Sequence, residues 1–352
     1  MFNTFSDPYL AFAFRAGFAA LGLTLLLVLV IVYLRLRLRK SLRREDKFIA
    51  LWRPLLLEAV SDASFTTLPV LHARDQLFFL KLWNYLQESL RGSANDRLNE
   101  LAHRLQCDAA ARHFLKKGKR AERLLAILTL GHLRDRASWR DLAAQAKGQD
   151  RVASIHAARA MIKIDPLRAT KRLLPLLLAR TDWDVTQIAG FLGEARQAFW
   201  LRLVRNILTV DDQHWPRALQ LADALRLELP LKSMLFILSH CRSVEALVAA
   251  LHMASGLPLL PTVRGFLQHP DWRVRVEVAR FLSSFGDVTD IPSLQQLLQD
   301  KQWWVRYQAA QSLANMPFFG REALEGLRAQ TRDALAMDML DHVLAERNAA
   351  LT

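Results

Sequence analysis

The stretch DWRVRVEVARFL, residues 271–282, decides the fold. Taken two residues at a time it alternates, with Trp272, Val274, Val276 and Val278 set against Arg273, Arg275 and Glu277. That is the period of a half-buried β-strand. Yet Val274, Val278 and Leu282 are also spaced as one face of a helix. The copy that follows, QWWVRYQAAQSL at 302–313, separates the two readings. Val305 and Arg306 repeat Val274 and Arg275, Ala310 repeats Ala279, and Leu313 repeats Leu282. The alternation is lost in the copy and the helical spacing is kept, so both segments are expected to be helices.

The same column extends along the chain through Asp150, Thr181, Asp212, Ser243, Asp271, Gln302 and Asp333, in steps of 31, 31, 31, 28, 31 and 31 residues. Six of the seven are Asp, Ser or Thr, whose side chains accept from the free N–H groups that open a helix. Seven positions after each cap stand Ala157, Ile188, Leu219, Ala250, Val278, Ala309 and Leu340, all apolar. Eleven positions after stand Met161, Leu192, Asp223, Ala254, Leu282, Leu313 and Leu344. A fixed period of this length is the mark of a solenoid. A second helix set lies between, including LRATKRLLPLLLAR behind Asp165-Pro166 and IPSLQQLLQD behind Asp290. Proline costs nothing at the first helical position. The unit is therefore a helix pair, and about eight pairs fill residues 107–352, the first having only Lys119 in the capping column.

Aspartate, then Val-Arg, then a pair of small residues, then Leu, in helix pairs of this length, resembles the HEAT repeat family. The short period and VRYQAA at 305–310 are most similar to its short, lyase-type branch. The resemblance covers roughly two thirds of the chain and is weakest at Asp212, where Trp215-Pro216 replaces Val-Arg. It implies an α-solenoid whose second helices line a concave surface, and mostly protein binding rather than catalysis.

GFAALGLTLLLVLVIVYL, residues 17–34, is uncharged and apolar. At 1.5 Å per residue it is about 27 Å long, one bilayer core. Tyr9, Phe12, Phe14 and Tyr33 are placed to sit at its interfaces. Arg15 is the only base before the run, whereas Arg35, Arg37, Arg39, Lys40, Arg43 and Arg44 follow it. A cleaved signal would have the opposite order. The positive-inside bias predicts a single-pass anchor in the cell membrane (the inner membrane in a bacterium), with the amino terminus outside and the solenoid in the cytoplasm. The six bases are also suited to anionic lipid. The organisation expected is thus a tail and transmembrane helix at 1–34, a basic segment and helical cap at 35–106, and the solenoid at 107–352.

Net charge is +14 and cysteines number two, Cys107 and Cys241, too few for a disulfide framework. Phosphate-binding, dinucleotide, zinc-protease and serine-hydrolase motifs are absent, and none of the ten histidines precedes a Glu. No catalytic residue, metal or cofactor is therefore expected. DDQH at 211–214 is assigned to capping rather than to a metal, and His132, His156 and His252 to structure. LKKGKRAER at 115–123 is read as a solvated loop, with lipid or nucleic acid as rivals.

Nine positions after their caps, Arg159, Arg280 and Gln311 share a column expected to face away from the core. With Trp272, Trp303 and Trp304 they make the candidate partner-binding set. The leading function is a membrane-tethered scaffold for a protein partner, such as a membrane-bound enzyme complex making a cell-surface polysaccharide, a client for which no residue argues. The rival classes are a basic nucleic-acid binder, disfavoured by the anchor, and a lyase, disfavoured by the missing motifs.

Overall fold

The computed structural model describes residues 8–61 and 68–349, with the side chains of 8–11, 13–16 and 208 left aside. Tyr9, Phe14 and Arg15 therefore lie outside the described side chains. Every regular element among the described residues is helical, and residues 272–285 form one helix despite their strand-like alternation. The chain divides into two compact units, Met1–Asp141 and Leu142–Thr352.

The first unit is led by α1 (Pro8–Ser61), a helix of 54 residues. It is followed by α2 (Gln76–Ser89), α3 (Ser93–Arg104), α4 (Cys107–Lys117) and α5 (Arg120–His132). The carboxyl-terminal third of α1 packs on α2 and α3, and α2 packs on α5. Trp52, Leu56, Phe79, Leu80, Trp83 and Leu98 form a buried core there. Trp83 donates from Nε1 to the Leu98 carbonyl (2.9 Å), and Asn84 donates to Thr129 Oγ1 (2.8 Å). Burial without a partner would cost these polar groups more than the bonds are worth. The α4–α5 pair, first of the repeats by period, thus has α2 against it within this unit. Its cap works in reverse. The Lys119 side chain is no acceptor, so Glu122 reaches back to accept from the Lys119 backbone N–H (2.7 Å), half of a capping box.

α6 (Trp139–Ala146) lies across the boundary. The second unit then runs α7 (Arg151–Ile164), α8 (Pro166–Ala179), α9 (Val185–Leu192), α10 (Arg196–Asn206), α11 (Trp215–Ala224), α12 (Leu231–His240), α13 (Val244–Met253), α14 (Leu260–Arg264), α15 (Trp272–Phe285), α16 (Ile291–Leu297), α17 (Trp303–Asn315), α18 (Arg321–Gln330) and α19 (Ala334–Ala349). The odd-numbered helices stack in one row: α7 on α9, α9 on α11, and so on to α19. Each repeat touches its neighbours, the arrangement of an α-solenoid. The register set by the period holds where it matters for packing. Ala157, Ile188, Leu219, Ala250, Val278, Ala309 and Leu340 are each 0% exposed. In the second column Met161, Leu192, Ala254, Leu282 and Leu313 are buried, Leu344 is half-buried and Asp223 is exposed.

The caps follow the expected column at four of seven places. Asp150 accepts from Val152 and Ala153 N–H, Ser243 from Ala246, Asp271 from Arg273, and Asp333 from Ala336. Three expectations need correction. α9 starts after Asp184, not Thr181, because the loop must first bury Trp183, which is 0% exposed and donates to Ser154 Oγ. Asp212 does not cap α11; it opens a single 3₁₀ turn, Asp212–His214, ahead of buried Trp215. Gln302 makes no side-chain cap, and Asp300 instead accepts from the Gln302 N–H (2.8 Å). On α16, likewise, Asp290 makes no side-chain cap: it accepts from the Asp287 N–H and from Arg264, while Asp287 accepts from Thr289.

Arginines tie the loops of neighbouring pairs together. Arg275 grips Asp300 with two bonds (2.8 and 2.9 Å) and donates to the His269 and Pro270 carbonyls, while Arg306 donates to the Asp300 and Lys301 carbonyls. Where Trp215-Pro216 interrupts the Val-Arg pattern, Arg217, one position later, donates to the Leu177, Arg180 and Trp183 carbonyls.

Candidate protein-binding surface

The column of Arg159, Arg280 and Gln311 runs along the odd-numbered row, all three half-buried. Arg280 donates to Glu277 Oε2 (2.6 Å) and to the Leu251 and His252 carbonyls (2.8 and 2.6 Å). It therefore satisfies the carbonyl end of α13, where a cation also meets the negative end of the helix dipole. Gln311 donates to Glu346 Oε2 (2.8 Å) and to Tyr307 (3.1 Å). Arg159 keeps a buried Nε with no hydrogen-bond partner among the described residues. The polar column is thus partly an internal lacing between neighbouring helices, not a free comb of side chains.

The same column also holds His252 and His342, nine positions after Ser243 and Asp333, which sequence reasoning did not connect to the site. His252 lies 3.2 Å from Glu277, and His342 lies 3.2 Å from Glu346. The signal that could have found them is the register itself.

The tryptophans divide. Trp303 (40% exposed) and Trp304 (57%) sit at the start of α17 with ring centroids 4.8 Å apart and planes nearly perpendicular. Tyr307 stacks on Trp303 at 5.0 Å, and His342 of α19 closes the cluster at 6.3 Å from Trp303. Glu346 accepts from the Tyr307 hydroxyl (3.0 Å). Trp272 is half-buried and makes no ring contact with this group among the described residues. The chain leaves two large, rigid aromatic faces in water at the edge of a fixed hydrogen-bonded frame. Such faces are the side chains from which protein interfaces draw most of their energy.

No cluster of His, Cys, Asp or Glu among the described residues could hold a metal ion. Burial pushes the Cys107 thiol up to about 12 and the Cys241 thiol to about 11, so neither forms a thiolate near neutral pH. Asp212 lies beside Cys241, which its charge also pushes up, and one of its carboxylate oxygens is buried without a hydrogen bond.

The basic patch at 115–123 lies on α4 and α5, with Lys116, Lys117, Lys119 and Arg120 exposed and Arg123 half-buried. Lys116 pairs with Asp141 (3.4 Å). On α1, Arg35, Arg37, Arg39, Lys40, Arg43 and Arg44 are all exposed. Among the described residues one helix is long and apolar enough to cross a membrane, by length and composition; it is α1, and its apolar stretch is 0% buried. Tyr33 and Phe12 are exposed along it.

Comparison with protein families matches residues 241–314 to HEAT repeats. That span includes α13, α15 and nearly all of α17, the helices whose Val-Arg and capping residues carried the sequence pattern. Comparison with curated proteins gives no match.

Proposed function

We propose that this chain is a membrane-anchored helical-repeat adaptor: α1 crosses the cell membrane, the amino terminus lies outside, and the repeats bind a protein partner on the cytoplasmic side without catalysing a reaction. One observation carries the reading. The apolar run at 17–34 is wholly exposed, whereas the same helix further on is built into a folded core through Trp52 and Leu56. Eighteen apolar residues in water would be a large cost of hydration, which a bilayer removes. A core helix of a soluble protein would be buried, and this one is not. The repeat row supplies the partner surface, with Trp303 and Trp304 as its exposed anchors. A client in the same bilayer, such as a membrane-bound enzyme complex, suits the tether.

Fractionation tests the anchor. The full chain is expected to stay with membranes through alkaline carbonate washing, and a variant lacking residues 1–34 to be released. A reporter fused after Thr352 should be active only in the cytoplasm; activity outside overturns the topology. For the partner surface, the pair Trp303→Ala and Trp304→Ala should reduce crosslinking to a membrane client with helix content unchanged. Arg280 is a poor probe here, because its replacement uncaps α13. Tight, salt-resistant DNA binding by the full chain would sink the adaptor reading in favour of a nucleic-acid binder.

A further inference from the structure

We propose that the bases following the apolar run form a one-sided lipid face: the outer side of α1 between Arg35 and Lys47 binds the headgroups of anionic phospholipids, with the first unit mounted on the opposite side. The inference rests on the membrane reading of residues 17–34 given above.

The two sides are read from the same helix. At 3.6 residues per turn, Arg35, Arg37, Arg39, Lys40, Arg43, Arg44 and Lys47 fall within roughly 200° of the circumference. Leu36 and Asp46 are the other residues in that arc. The inward side is fixed by contacts. Glu45 pairs with Lys81 (3.0 Å), Phe48 stacks on Trp52 and meets Phe78, and Trp52 and Leu56 are buried. These residues recur every three to four positions, and their direction continues upward through Leu42 and Leu38, away from the centre of the basic arc. Arg44 stands at the margin of the two sides and is the base that pairs inward, with Asp75 (2.5 Å). Arg35, Arg37, Arg39, Lys40, Arg43 and Lys47 are exposed and make no ion pair among the described residues.

A topology signal depends on the number of bases and not on their azimuth, so the sidedness needs another cause. Arg35 to Lys40 lie within about 9 Å of the end of the apolar run along the helix axis. That is about one screening length at physiological salt, the depth over which an anionic leaflet attracts cations. The arc has many cations and a single leucine. A protein interface has an apolar core with charge at its rim; shallow, repeated phosphates need only the charge. A helix tilted onto this side would lay the bases on the headgroups and hold the first unit clear of them.

The test uses the full chain in proteoliposomes of phosphatidylcholine with a minority of phosphatidylglycerol. Electron spin resonance of spin-labelled lipids reads the preference of the protein-contacting shell for one headgroup over the other. The wild type is expected to prefer phosphatidylglycerol by roughly threefold or more, and to lose that preference near 1 M salt, where the screening length is about 3 Å. Replacing Arg39, Lys40, Arg43 and Lys47 by Gln should lower the preference by at least half, Arg35 and Arg37 keeping the remainder. The decisive variant keeps the charge count and moves it: Arg39→Leu and Arg43→Leu with Leu38→Arg and Leu42→Arg. It should lose at least half of the preference, with helix content by circular dichroism unchanged. No preference in the wild type, or the wild-type ratio in the relocated variant, overturns the lipid face. If the Gln variant instead loses crosslinking to an acidic membrane protein while the lipid ratio stays flat, the face belongs to that protein and the assignment falls. Failure of the anchor itself reads differently, as a chain that gives no protein-contacting lipid component at all.

Discussion

Asp300 shows how a single side chain holds two repeats in register. It accepts from the Gln302 N–H and from both arms of Arg275. Burial opposes its ionisation, but the Arg275 guanidinium and the Gln302 N–H outweigh burial and hold the carboxyl below its usual range. Asp287 is brought from 3.8 to about 2 by Thr289 and Arg264. For carboxyls depressed in the folded state, the stabilisation is present above the unfolded value and is lost as pH falls through the folded one. The melting temperature should therefore be flat between about pH 5 and 7 on this account and fall between about 4 and 2. Asp300→Asn should flatten part of that acid limb and cost about 3 kcal/mol at neutral pH, because it leaves Arg275 largely buried without its partner. Asp271→Ala should cost about 0.5–2 kcal/mol through the lost cap, and Gln302→Ala close to nothing. Denaturant titration of the full chain checks all three. Sequence alone could not rank these positions. Gln302 and Asp271 share a column, but only the structure shows Asp300 taking the capping role two residues early.

The helices of the repeat unit were legible because two independent regularities agree: a cap and a buried position seven residues on. The buried position survived even where the cap moved. At α9 the loop carries Thr181, Asp182 and Asp184, and Asp182 is taken by Arg180 (2.6 Å). Nothing in the period says that Trp183 is swallowed by the core first. At α11 the same happens before Trp215. The partner surface was less legible. The ninth-position side chains Arg159, Arg280 and Gln311 are half-buried, and the bonds of the last two to neighbouring helices go to the Leu251 and His252 carbonyls and to Glu346, acceptors that the side-chain column does not mark. Packing should dominate the energetics of these helices. Leu282→Ala, at a fully buried site in α15, is expected to cost about 2–5 kcal/mol. Arg328→Ala removes an exposed pair with Asp341 and should cost at most about 1 kcal/mol. Equal losses in the two variants would mean that the row is not held together by its apolar seam.

At the scale of the molecule, the continuity of α1 has a consequence for timing along a helix rather than for strength of attachment. The helix runs unbroken from Pro8 to Ser61, and Arg44 and Glu45 are pinned to Asp75 and Lys81 only ten or so residues beyond the apolar run. With that run in a bilayer, the first unit stands about 15 Å above its edge. Its compass bearing is then set by residue count. Inserting two residues between Leu36 and Leu42 would turn the unit by about 200° and raise it by about 3 Å, whereas seven residues would bring it back to within about 20° at a height about 10 Å greater. Crosslinking from the first unit to a client in the same bilayer should therefore rise and fall with the length of the insertion, being low at two residues and restored at seven. A smooth decline with length would mean that the client responds to height alone. A periodic one would make this helix a dial, with a pitch that sets which neighbour the first unit faces.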